Sequence, residues 1–138
     1  MGRIPEDEEA LLNRYAEAVA RRVRANAVVL FGSRARGDAL RDSDYDLAVV
    51  SPDFGGLSVH ARWRRLDGAW EEPRAVEEVC LTPEELAGLG GLLVCDIVDE
   101  GIPIRDDGTF AAAREKLEGE KQAGRRRRTP SAWAFPTA

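Results

Sequence analysis

Residues 30–37 read Leu-Phe-Gly-Ser-Arg-Ala-Arg-Gly, and residues 43–47 read Ser-Asp-Tyr-Asp-Leu. The first segment ends an apolar run that begins at Ala27 and is rich in β-branched residues, a pattern that favours a buried strand stopped by Gly32. The second segment opens another apolar run, which predicts a strand over residues 45–50 before the Ser-Pro pair that follows it. Two strands joined by a short basic turn and a polar loop are therefore the predicted centre of the fold.

The turn after the first strand has the features of an anion site. Residues 34–36 are predicted to form a helical turn, whose first backbone N–H groups lack intrahelical partners. Gly32 allows a phosphate to approach the backbone closely, and Ser33 adds a hydroxyl donor. Arg34 and Arg36 add positive charge nearby. We expect these four residues to hold a nucleotide triphosphate.

Two carboxylates follow at the start of the second strand. Asp44 and Asp46 are two positions apart, so strand alternation places them on the same side. Mg²⁺ prefers oxygen ligands from a few carboxylates, phosphates and waters, which makes this pair suitable beside a phosphate site. Two such ions would stabilise both the attacking and the leaving oxygen in a displacement at phosphorus.

The Gly-Ser pair, ten intervening residues and Asp-x-Asp together resemble the signature of the minimal nucleotidyltransferase (MNT) family, within the DNA polymerase β superfamily. The resemblance extends more weakly to segments 81–86 and 99–104. It implies a small mixed β-sheet flanked by helices, with the nucleotide site at the strand ends. It also implies that AMP is transferred from ATP to a hydroxyl group. Two magnesium ions, held by the aspartates, would assist this reaction.

Family members that catalyse usually carry a third carboxylate, most often an aspartate on the third strand. Here the predicted strand, residues 76–81, offers Glu77 and Glu78 instead. Alignment on the Leu-Thr-Pro-Glu-Glu segment favours Glu77 as the third catalytic and metal-binding residue, whereas alternation alone permits either. An equally weighted alternative is that both glutamates are exposed charges on the strand with no role in catalysis.

The remaining chain predicts an α/β (α+β) domain. We expect a first helix from Pro5 to about Arg24, a helix capped by Ser58 whose apolar residues continue to Trp70, and a helix started by a capping box at Thr82. Residues 92–98 favour a helix, followed by a strand at residues 102–104. We predict a nucleotidyltransferase domain over residues 1–108, and over residues 109–138 a C-terminal helix with a basic, flexible tail.

The composition limits other functions. The chain has 138 residues and a formal net charge of -5, which argues against a nucleic-acid binder that relies on a basic surface. The two cysteines lack metal-site spacing, and the single histidine is assigned no role. With neither a membrane-spanning apolar stretch nor a signal sequence, we expect a cytoplasmic location and no membrane partner.

The acceptor is expected to be a protein, because small-molecule nucleotidyltransferases of this superfamily need an extra helical domain and little sequence follows Ile104. The resemblance implies an antitoxin that acts on a HEPN-domain toxin. Two alternatives are a non-catalytic antitoxin that neutralises its partner by binding, and a small-molecule nucleotidyltransferase. RNA binding by residues 125–128 is disfavoured. The aromatic residues Trp133 and Phe135 are expected to dock on this domain, on a second copy in a homo-oligomer, or on the partner.

Overall fold

A computed structural model describes residues 4–40, 43–128 and 133–134. In this part of the chain, helices and strands alternate around a four-stranded sheet. The helices are α1 (Glu6–Ala20), α2 (Gly32–Arg36), α3 (Val59–Arg65), α4 (Pro83–Gly88), α5 (Leu92–Glu100) and α6 (Thr109–Gln122). The strands are β1 (Ala27–Phe31), β2 (Tyr45–Val50), β3 (Val76–Leu81) and β4 (Ile102–Asp106), with a short pair β5 (Arg127–Arg128) and β6 (Trp133–Ala134). The predicted α/β class with a small mixed sheet is confirmed.

The strand order β3-β2-β1-β4 determines which strand ends meet. β1 runs antiparallel to β2 and β4, whereas β2 and β3 are parallel. In this register Phe31 pairs with Asp46, and Asp46 pairs with Glu77. The end of β1 therefore lies beside the starts of β2 and β3, and the Gly-Ser turn lies beside the acidic residues.

The sheet has an apolar cluster on each face, because side chains alternate along every strand. One face packs against α1 through Tyr45, Leu47 and Val49, and the other packs against α4, α5 and α6 through Ala48 and Val50. Both clusters include fully buried residues of β1. Asp46 belongs by alternation to the second face, which α5 and α6 cover.

Two helices are shorter than the sequence predicts. α1 ends at Ala20 instead of near Arg24, because the Arg22 guanidinium binds the Ala18 carbonyl and the Asp67 carbonyl, and the chain then turns so that Val23 enters the core. α3 ends at Arg65. The chain after it forms a turn that brings Trp70 against Tyr15, with ring centroids 5.6 Å apart.

The other predicted elements agree more closely with the structure. The first three strands have the predicted limits, and Thr82 forms the capping box with Glu85. Residues 92–98 lie in a helix, as expected. β4 continues past Ile104 to Asp106, because a bulge opposite Val28 and Val29 lets its last residues keep pairing with β1.

The C-terminal residues that the structure describes contact the domain, and the flexibility predicted for the tail stays a prediction. α6 buries Phe110, Ala113 and Leu117 in the second cluster. Beyond it, Arg126 pairs with Glu120, and the Trp133 side chain is 6% exposed. Of the predicted features, Phe135 and residues 129–131 lie outside the described residues. The boundary at residue 108 stays a prediction.

No helix in the described ranges has the length and apolar character needed to cross a bilayer.

Candidate functional site

The Gly-Ser turn begins where β1 leaves the sheet. Gly32 has a φ of +72°, a conformation that side-chain-bearing residues rarely adopt. A Cβ atom there would lie 2.2 Å from the Asp46 Oδ2 atom, so the carboxylate lies directly against the glycine backbone. Ser33 follows in the first turn of α2, where its carbonyl accepts from the backbone of Gly37 at 3.0 Å. The turn and the second aspartate are therefore packed as one unit.

The carboxylates of Asp46 and Glu77 face each other from neighbouring strands. Burial raises the pKa of Asp46, and the negative charges of Glu77 and Asp44, together with a side-chain hydrogen bond to Glu77, raise it further. Like charges held this close favour a shared proton or a bound cation. The hard oxygen donors fit a divalent ion such as Mg²⁺.

Asp44 lies just before β2 and is exposed. Within the described residues, no group of three or more Asp, Glu, His or Cys side chains is arranged to form a preformed metal site. The fold thus brings Asp46 and Glu77 together. Asp44 is near enough for its charge to raise the pKa of Asp46, but it does not complete a three-carboxylate metal site.

Glu78 occupies the opposite face of β3. Its Oε2 atom accepts a hydrogen bond from the Tyr15 hydroxyl at 2.6 Å. Burial raises the pKa of Glu78, partly offset by that hydrogen bond. The register places only Glu77 of this pair beside Asp46, which favours Glu77 over Glu78 as the third carboxylate.

Arg34 supports the loop that carries the aspartates. Its guanidinium donates to the Ser43 carbonyl at 2.7 and 3.1 Å and to Glu8 at 2.9 Å, and it lies 4.0 Å from the centre of the Tyr45 ring. Only 8% of the side chain is exposed. This arginine therefore fixes the residue before Asp44, and its predicted contact with a nucleotide stays a prediction.

Arg36 is more accessible than Arg34. It pairs with Glu100 at 2.9 Å and with Asp38 at 3.2 Å, and its charge also acts on Asp46 by lowering that pKa. Glu100 additionally pairs with Arg128 at 3.1 Å. Arg36 is thus the more exposed of the two arginines, with 47% of its side chain accessible, and its predicted contact with a phosphate stays a prediction.

Sequence reasoning missed Glu8 and Glu100, which hold these arginines. Glu8 lies in an acidic first turn of α1, where such residues are common because they favour the helix dipole. Glu100 ends α5 within the weakly matching segment 99–104, and that resemblance assigned it no role. Their roles depend on tertiary contacts across 26 and 64 residues of chain.

The chain has clear similarity to proteins of known family. A family model described as "Nucleotidyltransferase domain" matches residues 12–107. None of the curated proteins is similar enough in sequence to count as a match.

Solved structures show the same fold. A Sulfolobus solfataricus protein, named as a candidate nucleotidyltransferase, is 25% identical with a TM-score of 0.55, over 72% of this chain and 80% of that one. A toxin-antitoxin structure with AMP-PNP is 21% identical with a TM-score of 0.58, over 85% and 89% of the two chains. A mutant of the toxin-antitoxin MntA-HpeT is 19% identical with a TM-score of 0.56, over 82% and 88%.

Proposed function

The chain belongs to the nucleotidyltransferase domain family, and from this premise we propose that it transfers AMP from ATP to a hydroxyl group of another protein. The observation that carries the proposal is the Asp46 carboxylate held between Gly32 and Glu77. In the reaction, the acceptor oxygen forms a bond to the α-phosphorus. The bond from that phosphorus to the bridging oxygen breaks, pyrophosphate leaves with the electron pair, and the acceptor proton passes to a carboxylate or to water.

The residues of the Gly-Ser turn and those at the starts of β2 and β3 would have different roles in this reaction. Gly32 and Ser33 would hold the triphosphate, with Arg36 close enough to balance its charge. Asp44, Asp46 and Glu77 would hold Mg²⁺, which when bound supplies positive charge for the oxygens at the reacting phosphorus. Arg34 would keep Ser43, and so Asp44, in position.

A protein acceptor, and specifically a HEPN-domain toxin, is the partner we propose. α6 packs against α4 and α5, so the described chain does not add a separate lobe beside the carboxylates. The fold likeness to structures of toxin-antitoxin complexes, one of them with AMP-PNP, supports a role as antitoxin.

The test is a mass measurement. The chain and its proposed HEPN-domain partner would be incubated with ATP and Mg²⁺, and both intact masses recorded. We expect one AMP to be added to the toxin, and none with a variant carrying Asp44→Asn and Asp46→Asn. Absence of an adduct under conditions in which the two proteins bind each other would contradict transfer.

A second function is favoured by one observation, namely that the three carboxylates do not form a preformed cluster in the described residues. On this alternative the chain neutralises its partner by binding alone. Neutralisation that persists without ATP, and with both aspartates replaced, would support binding over catalysis.

A further inference from the structure

The Glu100 carboxylate lies between two arginines that are far apart in the chain. Its Oε2 atom accepts a hydrogen bond from Arg36 at 2.9 Å, and its Oε1 atom accepts one from Arg128 at 3.1 Å. Arg36 belongs to the Gly-Ser turn, whereas Arg128 belongs to β5. One side chain at the end of α5 therefore joins the turn that is predicted to hold a triphosphate to the C-terminal residues.

Arg128 is held beside Glu100 by contacts that do not involve Arg36. It also pairs with Asp96, and its guanidinium lies 5.4 Å from the centre of the Trp133 ring. The Trp133 indole N–H donates to Asp96 at 2.8 Å, and the side chain is 6% exposed. We refer to Arg128 and Trp133 as the C-terminal strap. Because α5 anchors this strap separately, Arg128 can stay in place when Arg36 moves.

The two acidic partners of Arg36 differ in their access to water. The Asp38 side chain is 62% exposed, so water can solvate it when the arginine leaves. The Glu100 side chain is only 16% exposed, and a carboxylate in such surroundings is costly to leave without a cation. Arg128 already supplies that second cation. The free energy needed to release Arg36 from Glu100 is therefore lower while the strap is docked.

We propose that Glu100 is a positioning residue that controls how readily Arg36 meets the triphosphate, and that Arg128 compensates Glu100 when Arg36 leaves it. This inference rests on the proposed function, in which the triphosphate lies at the Gly-Ser turn. On binding, Arg36 exchanges the Glu100 carboxylate for a phosphate oxygen, and Glu100 stays paired with Arg128. No covalent bond changes in this step. Nucleotide binding and docking of the strap therefore strengthen each other.

The first test compares two neighbouring arginines. Binding of ATP with Mg²⁺ to the full chain would be measured by calorimetry for Arg128→Gln and for Arg127→Gln. Arg127 is the exposed neighbour of Arg128 in β5, so both variants lose the same charge at nearly the same place. We expect the Kd of Arg128→Gln to be about threefold higher than that of Arg127→Gln, as for the loss of a partly exposed ion pair.

A double-mutant cycle shows whether Arg128 acts through Glu100. Glu100→Gln should lower the Kd for ATP about threefold, because Arg36 no longer has to leave a carboxylate. In a chain that already carries Glu100→Gln, the Arg128→Gln substitution should change the Kd no more than Arg127→Gln does. This loss of additivity measures the coupling. A merely structural role of Arg128 would persist without the Glu100 carboxylate.

The reciprocal effect is measured on the strap itself. Hydrogen exchange of the Trp133 indole N–H would be followed by NMR with and without ATP and Mg²⁺. We expect saturating ATP to slow this exchange about threefold in the native chain, and to have no such effect in Glu100→Gln. The Trp70 indole N–H, which donates to the Arg74 carbonyl at 2.8 Å away from the strap, is the control within the same molecule. Its exchange should not respond to ATP.

The outcomes separate this inference from the proposed function. Equal Kd values for the two arginine variants, an Arg128 effect that persists without Glu100, or Trp133 exchange that ignores ATP would overturn the coupling and leave nucleotide transfer standing. If ATP binds with the expected coupling but no AMP is transferred, transfer fails and the coupling stands. If the native chain does not bind ATP, both proposals are wrong.

Discussion

The two faces of the β2–β3 pair carry similar acidic residues in opposite surroundings. On one face, Asp46 and Glu77 lie together at the Gly-Ser turn, where burial and the charge of Glu77 raise the pKa of Asp46. On the other, Glu78 is next to Glu77 in sequence but contacts the Tyr15 hydroxyl among buried aromatic residues. A single step along a strand therefore separates a carboxylate available for chemistry from one that belongs to the packing of α1 against the sheet.

Removing a carboxylate from the first face should have the largest effect. We expect Asp46→Asn to lower AMP transfer about 10²–10³-fold, by analogy with other preorganised electrostatic sites. The free energy of unfolding should not fall, because a neutral amide relieves repulsion by Glu77 and Asp44. Transfer rates and urea unfolding would be measured side by side.

The control for this substitution is Asp7→Asn, an exposed aspartate in the first turn of α1. Its transfer rate should match that of the native chain. Undiminished transfer by the Asp46→Asn variant would show that this carboxylate has no part in catalysis.

Moving the same carboxylate without removing it should have a slightly smaller effect. Gly32→Ala puts a Cβ atom 2.2 Å from Asp46 Oδ2 and strains a backbone with φ of +72°. We expect about 10²-fold slower transfer from the displaced carboxylate and a loss of about 1–3 kcal/mol in unfolding free energy.

Gly56→Ala is the matched control for the backbone strain. Gly56 has φ of +75°, and a Cβ atom added there would meet no other atom within 4 Å. Its variant should lose stability to a similar degree while retaining transfer. Equal transfer rates in both glycine variants would show that the contact with Asp46 does not matter.

The neighbouring glutamates allow the two faces to be compared directly. We expect Glu77→Gln to lower transfer at least roughly tenfold with little change in stability, since one ligand of the ion is weakened. Glu78→Gln should leave transfer unchanged. The reverse result, or equal losses from both substitutions, would contradict the assignment of Glu77.

Glu78 also gives the smallest predicted effect, a change in the pH dependence of stability. Its folded pKa is raised above the ordinary value of 4.5, so the folded state binds the proton more tightly than the unfolded state. Its contribution is complete below pH 4.5 and is lost as pH rises through the folded pKa. The stability of Glu78→Gln relative to the native chain should therefore rise with pH.

Urea unfolding of the two proteins from about pH 4 to about pH 8 would measure that difference. Taking the difference cancels groups common to both, including Asp46. A difference that does not change with pH would show that Glu78 titrates alike in the folded and unfolded states.

The strands and the turn could be predicted because their signals are local. The apolar run 27–31 stopped by Gly32, and the alternating start of β2, need no information from elsewhere in the chain. The choice between Glu77 and Glu78 could not be made from alternation, because both positions sit beside apolar neighbours. Alignment on the Leu-Thr-Pro-Glu-Glu segment favours Glu77, and the register of β3 against β2 adds an independent geometric reason for the same choice.

The contacts of Arg34 and Arg36 were harder to predict than the strands. The basic turn predicts Arg34 and Arg36 near a phosphate, yet Arg34 directs its donors to Ser43 and Glu8. Such contacts follow from how α1 crosses the sheet, which no short motif encodes. The ion pair of Arg128 with Asp96 of α5 was missed for the same reason, whereas Arg126 and its partner Glu120 are only six residues apart in the chain.

Both arginines of the Gly-Ser turn are tied to the outer parts of the chain, Arg34 through Glu8 and Arg36 through the Glu100 that Arg128 shares. Neither Glu8 nor Arg128 lies in the span 12–107 that the family model matches. A fragment trimmed to that span would keep every signature residue, and it would still hold Arg34 at Ser43 and Arg36 at Glu100 and Asp38. It would lose one anchor behind each arginine, so the motif would remain in a less firmly braced turn.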